Sequence, residues 1–337
     1  MFVNKKYYRA LNWFIKVVMT VGIAYLLYRQ VWARDNAPEL WVSFKTAFEG
    51  VNVFWLLLAI FSMPINWGLE ARKWQKLVEQ FAPISYWSAT KATYAGAMTG
   101  TFTPNRVGEF GGKILWLPSA MQAKGIVASF VGSAGQFIAI LLGGVPSVLY
   151  FLHCIYPDLP TFWLWMLFSA TVLLLIILIF FFYNIDLVLK VIKRLPIPKF
   201  AMVYVEHVKI LKNYSFRHLS LALWYSILRY MVYALQYYCM LRFFDISIPW
   251  DVAITGIATV FLFQTIIPLP SIAGLLVRGE VALQLWGFFT SNHISILSTT
   301  FGLWFINVIF PALIGWLFIL NKNVVQSLGY EEIIDEQ

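Results

Sequence analysis

Thr103-Pro-Asn-Arg-Val-Gly-Glu-Phe-Gly-Gly-Lys113 decides how this chain is read, and Pro268-Leu-Pro-Ser-Ile-Ala-Gly-Leu-Leu-Val-Arg-Gly-Glu280 repeats its theme. Each stretch joins apolar arms too short or too interrupted for ordinary spanning helices, and each carries Arg followed shortly by Gly-Glu. Pro104, Pro268 and Pro270 lack the amide hydrogen a helix needs. Gly108, Gly111, Gly112, Gly274 and Gly279 permit backbone angles and close approaches that other residues resist. Irregular backbone and charge at membrane depth persist only where protein or a watery cavity satisfies them. Two such breaks in corresponding halves of a chain point to a transporter's binding site.

Composition fixes the class. Of 337 residues, 60% are hydrophobic and 12% charged, about half the charged share of soluble domains. The 15 Trp and 17 Tyr suit aromatic belts at two membrane interfaces. The reading is an all-α polytopic membrane protein, a single membrane domain over 1–337 with no stretch long enough for a separate soluble domain. Cys154 and Cys239 make neither a disulfide framework nor a metal site and read as two small buried hydrophobes. The net charge of +9 does not indicate nucleic acid, because Lys and Arg cluster in short loops: Lys5, Lys6 and Arg9; Arg72, Lys73 and Lys76; and Lys190 through Arg217. That bias sets membrane orientation.

Six full spans are expected, at about 11–28, 51–69, 126–151, 162–183, 219–241 and 296–320, with broken segments at 85–116 and 252–289. The first span follows a basic start but lacks a small-residue cleavage site, so it reads as a retained helix rather than a signal peptide. With the N-terminus inside and both broken segments re-entrant, every basic cluster, the linker 184–218 and the acidic tail 321–337 fall in the cytoplasm. The halves 10–151 and 162–320 then match as span, span, hairpin, span in opposite orientations. Trp87 precedes Pro104 by 17 residues and Trp250 precedes Pro268 by 18, weak similarity of the kind an inverted-topology repeat leaves.

Interrupted helix ends favour an anion. Arg106, Lys113 and Arg278 add fixed positive charge, and an arginine fork matches phosphate oxygens. Glu109 and Glu280 supply negative charge for a cationic group or a proton; alternatively they only pair with Arg106, Lys113 and Arg278 inside a structural turn. Arg229 and Gln236, two turns apart on one helix, are cavity candidates. Glu70 and Arg72 either bind lipid head groups or anchor the interface. The basic stretch 190–217 reads as a topology signal, with recruitment of anionic lipid the other reading. No cofactor-binding, metal-ligating or nucleophile motif appears.

The Thr-Pro-x-x-x-Gly-Glu turn, the second Pro with its Gly-Glu, and eight membrane elements resemble the lysylphosphatidylglycerol synthase transmembrane region, over about residues 10–322. The first motif is fairly specific and the second looser. The resemblance implies a bacterial inner-membrane location and translocation of a lipid between leaflets. It also implies a separate lipid synthase as a partner, since no cytosolic synthase domain follows the last span here, and it leaves open which lipid is moved. Three functions stand beside one another: a flippase for a phosphate-bearing or cationic lipid, a membrane-embedded lipid-modifying enzyme with Glu109 or Glu280 as general base, and a non-catalytic scaffold. Aromatic-rich outer surfaces are compatible with a homodimer, although no small-residue stripe dominates any span.

Overall fold

The computed structural model describes residues 2–3, 5–28, 37–49, 52–103, 106–156, 158, 160–184, 187, 214–266, 271–329 and 331–332. Pro104, Pro268 and Pro270 lie outside the described residues, as do 188–213 of the basic linker and 333–337 of the tail. The described chain is helical: α1 (Lys5–Leu27), α2 (Ala37–Phe48), α3 (Val53–Val78), α4 (Tyr86–Thr101), α5 (Gly108–Ile114), α6 (Gln122–Ile155) and α7 (Thr161–Tyr183). Then follow α8 (Phe216–Phe243), α9 (Trp250–Ile266), α10 (Ser271–Trp286), α11 (His293–Trp304), a π-helical turn (Phe305–Ile309), α12 (Phe310–Leu320) and α13 (Val324–Ser327). The chain ends meet in a two-residue parallel pairing, Phe2 with Glu331 and Val3 with Glu332.

Among the described residues, four helical stretches are long and apolar enough to cross a membrane: Val53–Val78, Ser119–Ile155, Phe162–Tyr183 and His293–Leu320. The third has a mean hydropathy of 2.8 with 6% of its apolar window buried. Water would not tolerate that much exposed apolar surface, and acyl chains would. Helices α1 and α8 occupy the other two expected positions with more polar sequences. Helix α2, amphipathic and packed on α11, was not expected.

Helices α3 and α8 pack along much of their length at the centre. Helix α4 is held between α5 and α12, while α9 lies against α6. Local sequence explains the starts. Ser85 caps α4 by accepting from the Ser88 amide, Ser215 and His218 form a capping box on α8, and Asn292 caps α11. The core joins Trp67, Tyr94, Tyr237, Phe261 and Trp286, with the Trp286 indole donating to the Tyr237 hydroxyl at 3.0 Å.

The first broken segment is two helices packed antiparallel. A Cβ on Gly96 would meet the Glu109 carbonyl, one on Gly108 the Thr99 carbonyl, and one on Gly112 the Ala95 carbonyl. Helix α4 ends at Thr101 and α5 begins at Gly108, so Gly108, Gly111 and Gly112 belong to α5 rather than to the turn. Gly108 and Gly112 permit the close packing. Gly111 faces open space. Likewise Gly274 and Gly279 lie within α10 and do not break it. The π-helical turn interrupts what was expected to be an unbroken last span.

Two further corrections concern charge and sulfur. Helix α3 continues through Arg72–Lys76, so these residues are helical rather than a loop cluster, and Lys73 is buried. Cys154 is exposed, and only Cys239 is the expected buried hydrophobe.

Candidate functional site

Ser62, Asn66, Glu70 and Lys73 recur at helical spacing, placing four buried polar residues on one face of α3. Opposite them α8 presents Ser226, Arg229 and Gln236. Helix α5 adds Glu109 and Lys113, one turn apart. These groups close into a connected ion network. Glu70 Oε2 lies 2.7 Å from Lys73 Nζ and 3.0 Å from Arg229 Nη1, while its Oε1 lies 2.8 Å from Lys113 Nζ. Lys113 Nζ also lies 2.8 Å from Glu109 Oε1, and Glu109 Oε2 lies 3.3 Å from Arg106 Nη2. Lys73 further donates to the Gly132 carbonyl at 3.2 Å and the Ser226 hydroxyl at 3.4 Å. Four cations thus share two carboxylates, leaving two positive charges over.

That surplus borders a cavity of about 250 Å³. Arg106 reaches it from the α4–α5 turn, Arg229 from α8 and Arg278 from α10. Arg106 and Arg229 both lie over the Trp67 ring, at 5.6 and 5.3 Å from its centroid, a cation–π arrangement worth more as water is excluded. Arg229 also donates to Asn66 at 2.8 Å. Among the described residues Arg278 has no carboxylate partner. Gln136, Tyr230, Tyr233, Gln264 and Asn307 are among the other polar residues of the wall. Asn307 belongs to the π-helical turn, a device that often re-aims side chains at functional sites.

Among the described residues, four of the six buried side-chain atoms without a hydrogen-bond partner belong to this wall: Trp67 Nε1, Arg106 Nε, Gln136 Oε1 and Tyr230 OH. Unsatisfied buried polar groups are scarce in folded proteins, and such a cluster calls for an explanation. Arg106 also holds a left-handed backbone at φ 58°, a conformation costing a side-chain-bearing residue on the order of 1–2 kcal/mol. Strain of this kind gathers at functional sites.

The other predicted positions fall as follows. Gln236 is fully buried, accepts from Asn66 at 3.2 Å and donates to the Ala59 carbonyl at 3.0 Å. It positions Asn66 and does not line the cavity. Glu70 is no interfacial anchor but the hub of the network. Arg72 is exposed, bonded to Gln75 at 2.9 Å and stacked over Tyr86. Glu280, read from the sequence as a source of negative charge, does not line this cavity: its carboxylate is exposed and accepts from Gln284 at 2.8 Å. Glu109 and Lys113 are held inside the network, one step behind Arg106.

Across α3 and the π-helical turn lies a second space of different character. It is an apolar groove of about 620 Å³, bounded by Trp41 and Phe44 of α2, Met63 of α3, Met240 of α8, and Phe301 and Phe305.

A family model described as the lysylphosphatidylglycerol synthase TM region matches residues 13–321. A search for relatives among curated proteins gave no match.

Proposed function

The chain belongs to the lysylphosphatidylglycerol synthase TM-region family, and from that premise we propose that it is a lipid transporter that passes a phosphate-bearing head group between leaflets. One observation carries the reading. Three arginines from three separate elements converge on a cavity whose wall holds four buried polar atoms without partners. Guanidinium forks and unpaired donors are the chemistry of phosphate recognition. The apolar groove beyond α3 offers acyl chains a matching compartment. Both Glu109 oxygens are engaged by cations, which favours transport over a reaction using it as a general base.

The transport cycle in this proposal uses two re-entrant hairpins, α4–α5 and α9–α10, related by an inverted repeat. Packing supports the relation. The hairpin arm α4 of the first half lies on α12, the last helix of the second, and the arm α9 of the second half lies on α6, the last helix of the first. Helices α3 and α8, equivalent in the two halves, pair with each other, and α3 touches α6 as α8 touches α11. Such an exchange is what a two-fold axis in the membrane plane produces. In a bacterial inner membrane with both termini cytoplasmic, a cysteine placed at Asn292 is labelled from outside and one at Lys124 only from inside. Outside labelling at Lys124 would sink the repeat.

Transport itself is tested in proteoliposomes carrying fluorescent phosphatidylglycerol, with bleaching by external dithionite as the readout. The Arg278→Ala variant leaves the ion network intact. It is expected to slow translocation by at least about tenfold, the worth of one charge-assisted hydrogen bond. If Arg278→Ala and Arg106→Ala both move lipid at the parent rate, the cavity is not the path.

A further inference from the structure

We propose that the head group accepted here is an anionic phosphodiester bearing hydroxyls, a polyol or sugar phosphate, and that the cavity rejects an aminoacylated, cationic head group. The inference rests on the reading of the cavity as a lipid head-group site. It goes further by naming what that site selects.

Charge is the first argument. Arg106, Arg229 and Arg278 all border the cavity. The carboxylates nearest to it are already committed: Glu70 to Lys73, Lys113 and Arg229, and Glu109 to Lys113 and Arg106. Glu280 is exposed and bonded to Gln284. An entering ammonium would face three guanidiniums and, among the described residues, no uncommitted carboxylate. Such like-charge juxtaposition is how binding sites exclude wrong partners.

Neutral polar groups are the second argument. A phosphate needs only the arginines, yet the wall also carries Gln136 with a buried, unpartnered amide oxygen and Tyr230 with a buried, unpartnered hydroxyl. The Gln264 amide is uncommitted among the described residues. An amide oxygen accepts and a phenol both donates and accepts, so together they match hydroxyls rather than further negative charge. The Tyr233 and Phe261 rings stack at 4.7 Å and 9° beside them, offering an apolar face for the C–H side of a ring or polyol. Size agrees. A volume of about 250 Å³ corresponds to roughly eight waters at ~30 Å³ each, enough for one phosphate and a small polyol.

The test compares equilibrium binding of short-chain lipids to the purified full-length protein in detergent: dihexanoyl phosphatidylinositol, phosphatidylglycerol, phosphatidic acid and lysyl-phosphatidylglycerol, with glycerophosphoinositol as the chain-free probe. The inositol and glycerol lipids are expected to bind on the order of tenfold more tightly than phosphatidic acid, with the lysyl lipid weakest. The chain-free probe should bind well below its lipid. Gln136→Ala and Gln264→Ala should erase the advantage of the polyol lipids over phosphatidic acid, and an advantage that survives both substitutions overturns the role given to these amides. Equal binding of phosphatidic acid and the polyol lipids, or tightest binding of the lysyl lipid, overturns the proposed selectivity but leaves an anionic or general lipid site standing. Glycerophosphoinositol binding as tightly as the lipid overturns the lipid source. Failure of every probe to bind overturns the head-group site beneath it.

Discussion

Glu70→Gln is expected to remove more folded protein than any other single charge change in the chain. Glu70 is 4% exposed, and three cations lie within 3.0 Å of its oxygens. Neutralising it leaves Lys73 without its carboxylate, Arg229 with Asn66 and the Trp67 ring but no carboxylate, and Lys113 with Glu109 as its remaining carboxylate. Breaking a buried pair by removing one partner costs about 3–5 kcal/mol, because an uncompensated charge stays behind. Replacing both members of such a pair is far less costly. Glu70→Gln with Lys73→Met should therefore recover part of the loss that Glu70→Gln alone produces. Melting temperature in detergent, followed by size-exclusion of the soluble fraction, reads both. A Glu70→Gln protein as stable as the parent would mean the network is not buried as described.

The same network shows what the sequence allowed and what it hid. The amphiphilic break at 103–113, the basic clusters and the apolar runs are local signals, so the helical class and the antiparallel pair α4–α5 were readable from them. Arg106, Arg229 and Arg278 stood out because charge amid apolar sequence is conspicuous wherever the chain goes. Glu280 stood out for the same reason and misled. On a helix, residues two apart point about 200° from one another, so Glu280 cannot follow Arg278 into the cavity. Glu109, three residues after Arg106, can and does pair with it. Likeness between the two Arg–Gly–Glu endings was a likeness of letters across different spacings.

Lys73 was read as a topology charge because it follows Arg72 and precedes Lys76. One signal did mark it. Ser62, Asn66, Glu70 and Lys73 recur at intervals of four, four and three residues along a span that is otherwise apolar, which puts a polar stripe on one helical face. Arg72 lies off that stripe and is exposed. Gln136, Gln264 and Asn307 carried no comparable mark. Each is a lone amide in an apolar helix, brought to the cavity only by the way α6, α9 and the π-helical turn pack.

Gly112→Val is expected to open the α4–α5 pair, with Gly111→Ala as its opposite. A Cβ at Gly112 would run into the Thr99 hydroxyl and the Ala95 carbonyl, 2.5 Å away in the second case. That neighbour is helix backbone, which cannot rotate aside as a side chain can. On its other side α4 is hemmed in by Gly315 of α12, whose Cβ would strike the Tyr94 carbonyl. The hairpin therefore has no free direction in which to yield. Overpacking a filled interface costs typically about 1–3 kcal/mol, and the upper end applies where backbone is the obstacle. The displacement would also shift Lys113 and Glu109 from Glu70 and Arg106, so lipid movement should fall together with stability. Gly111 meets nothing within 4 Å, and alanine is the better helix residue by about 1 kcal/mol. Gly111→Ala should leave transport unchanged and raise the melting temperature slightly. Melting curves of the two variants beside the parent decide the matter, and a Gly112→Val protein that melts with Gly111→Ala would show that α4 and α5 are not packed backbone to backbone.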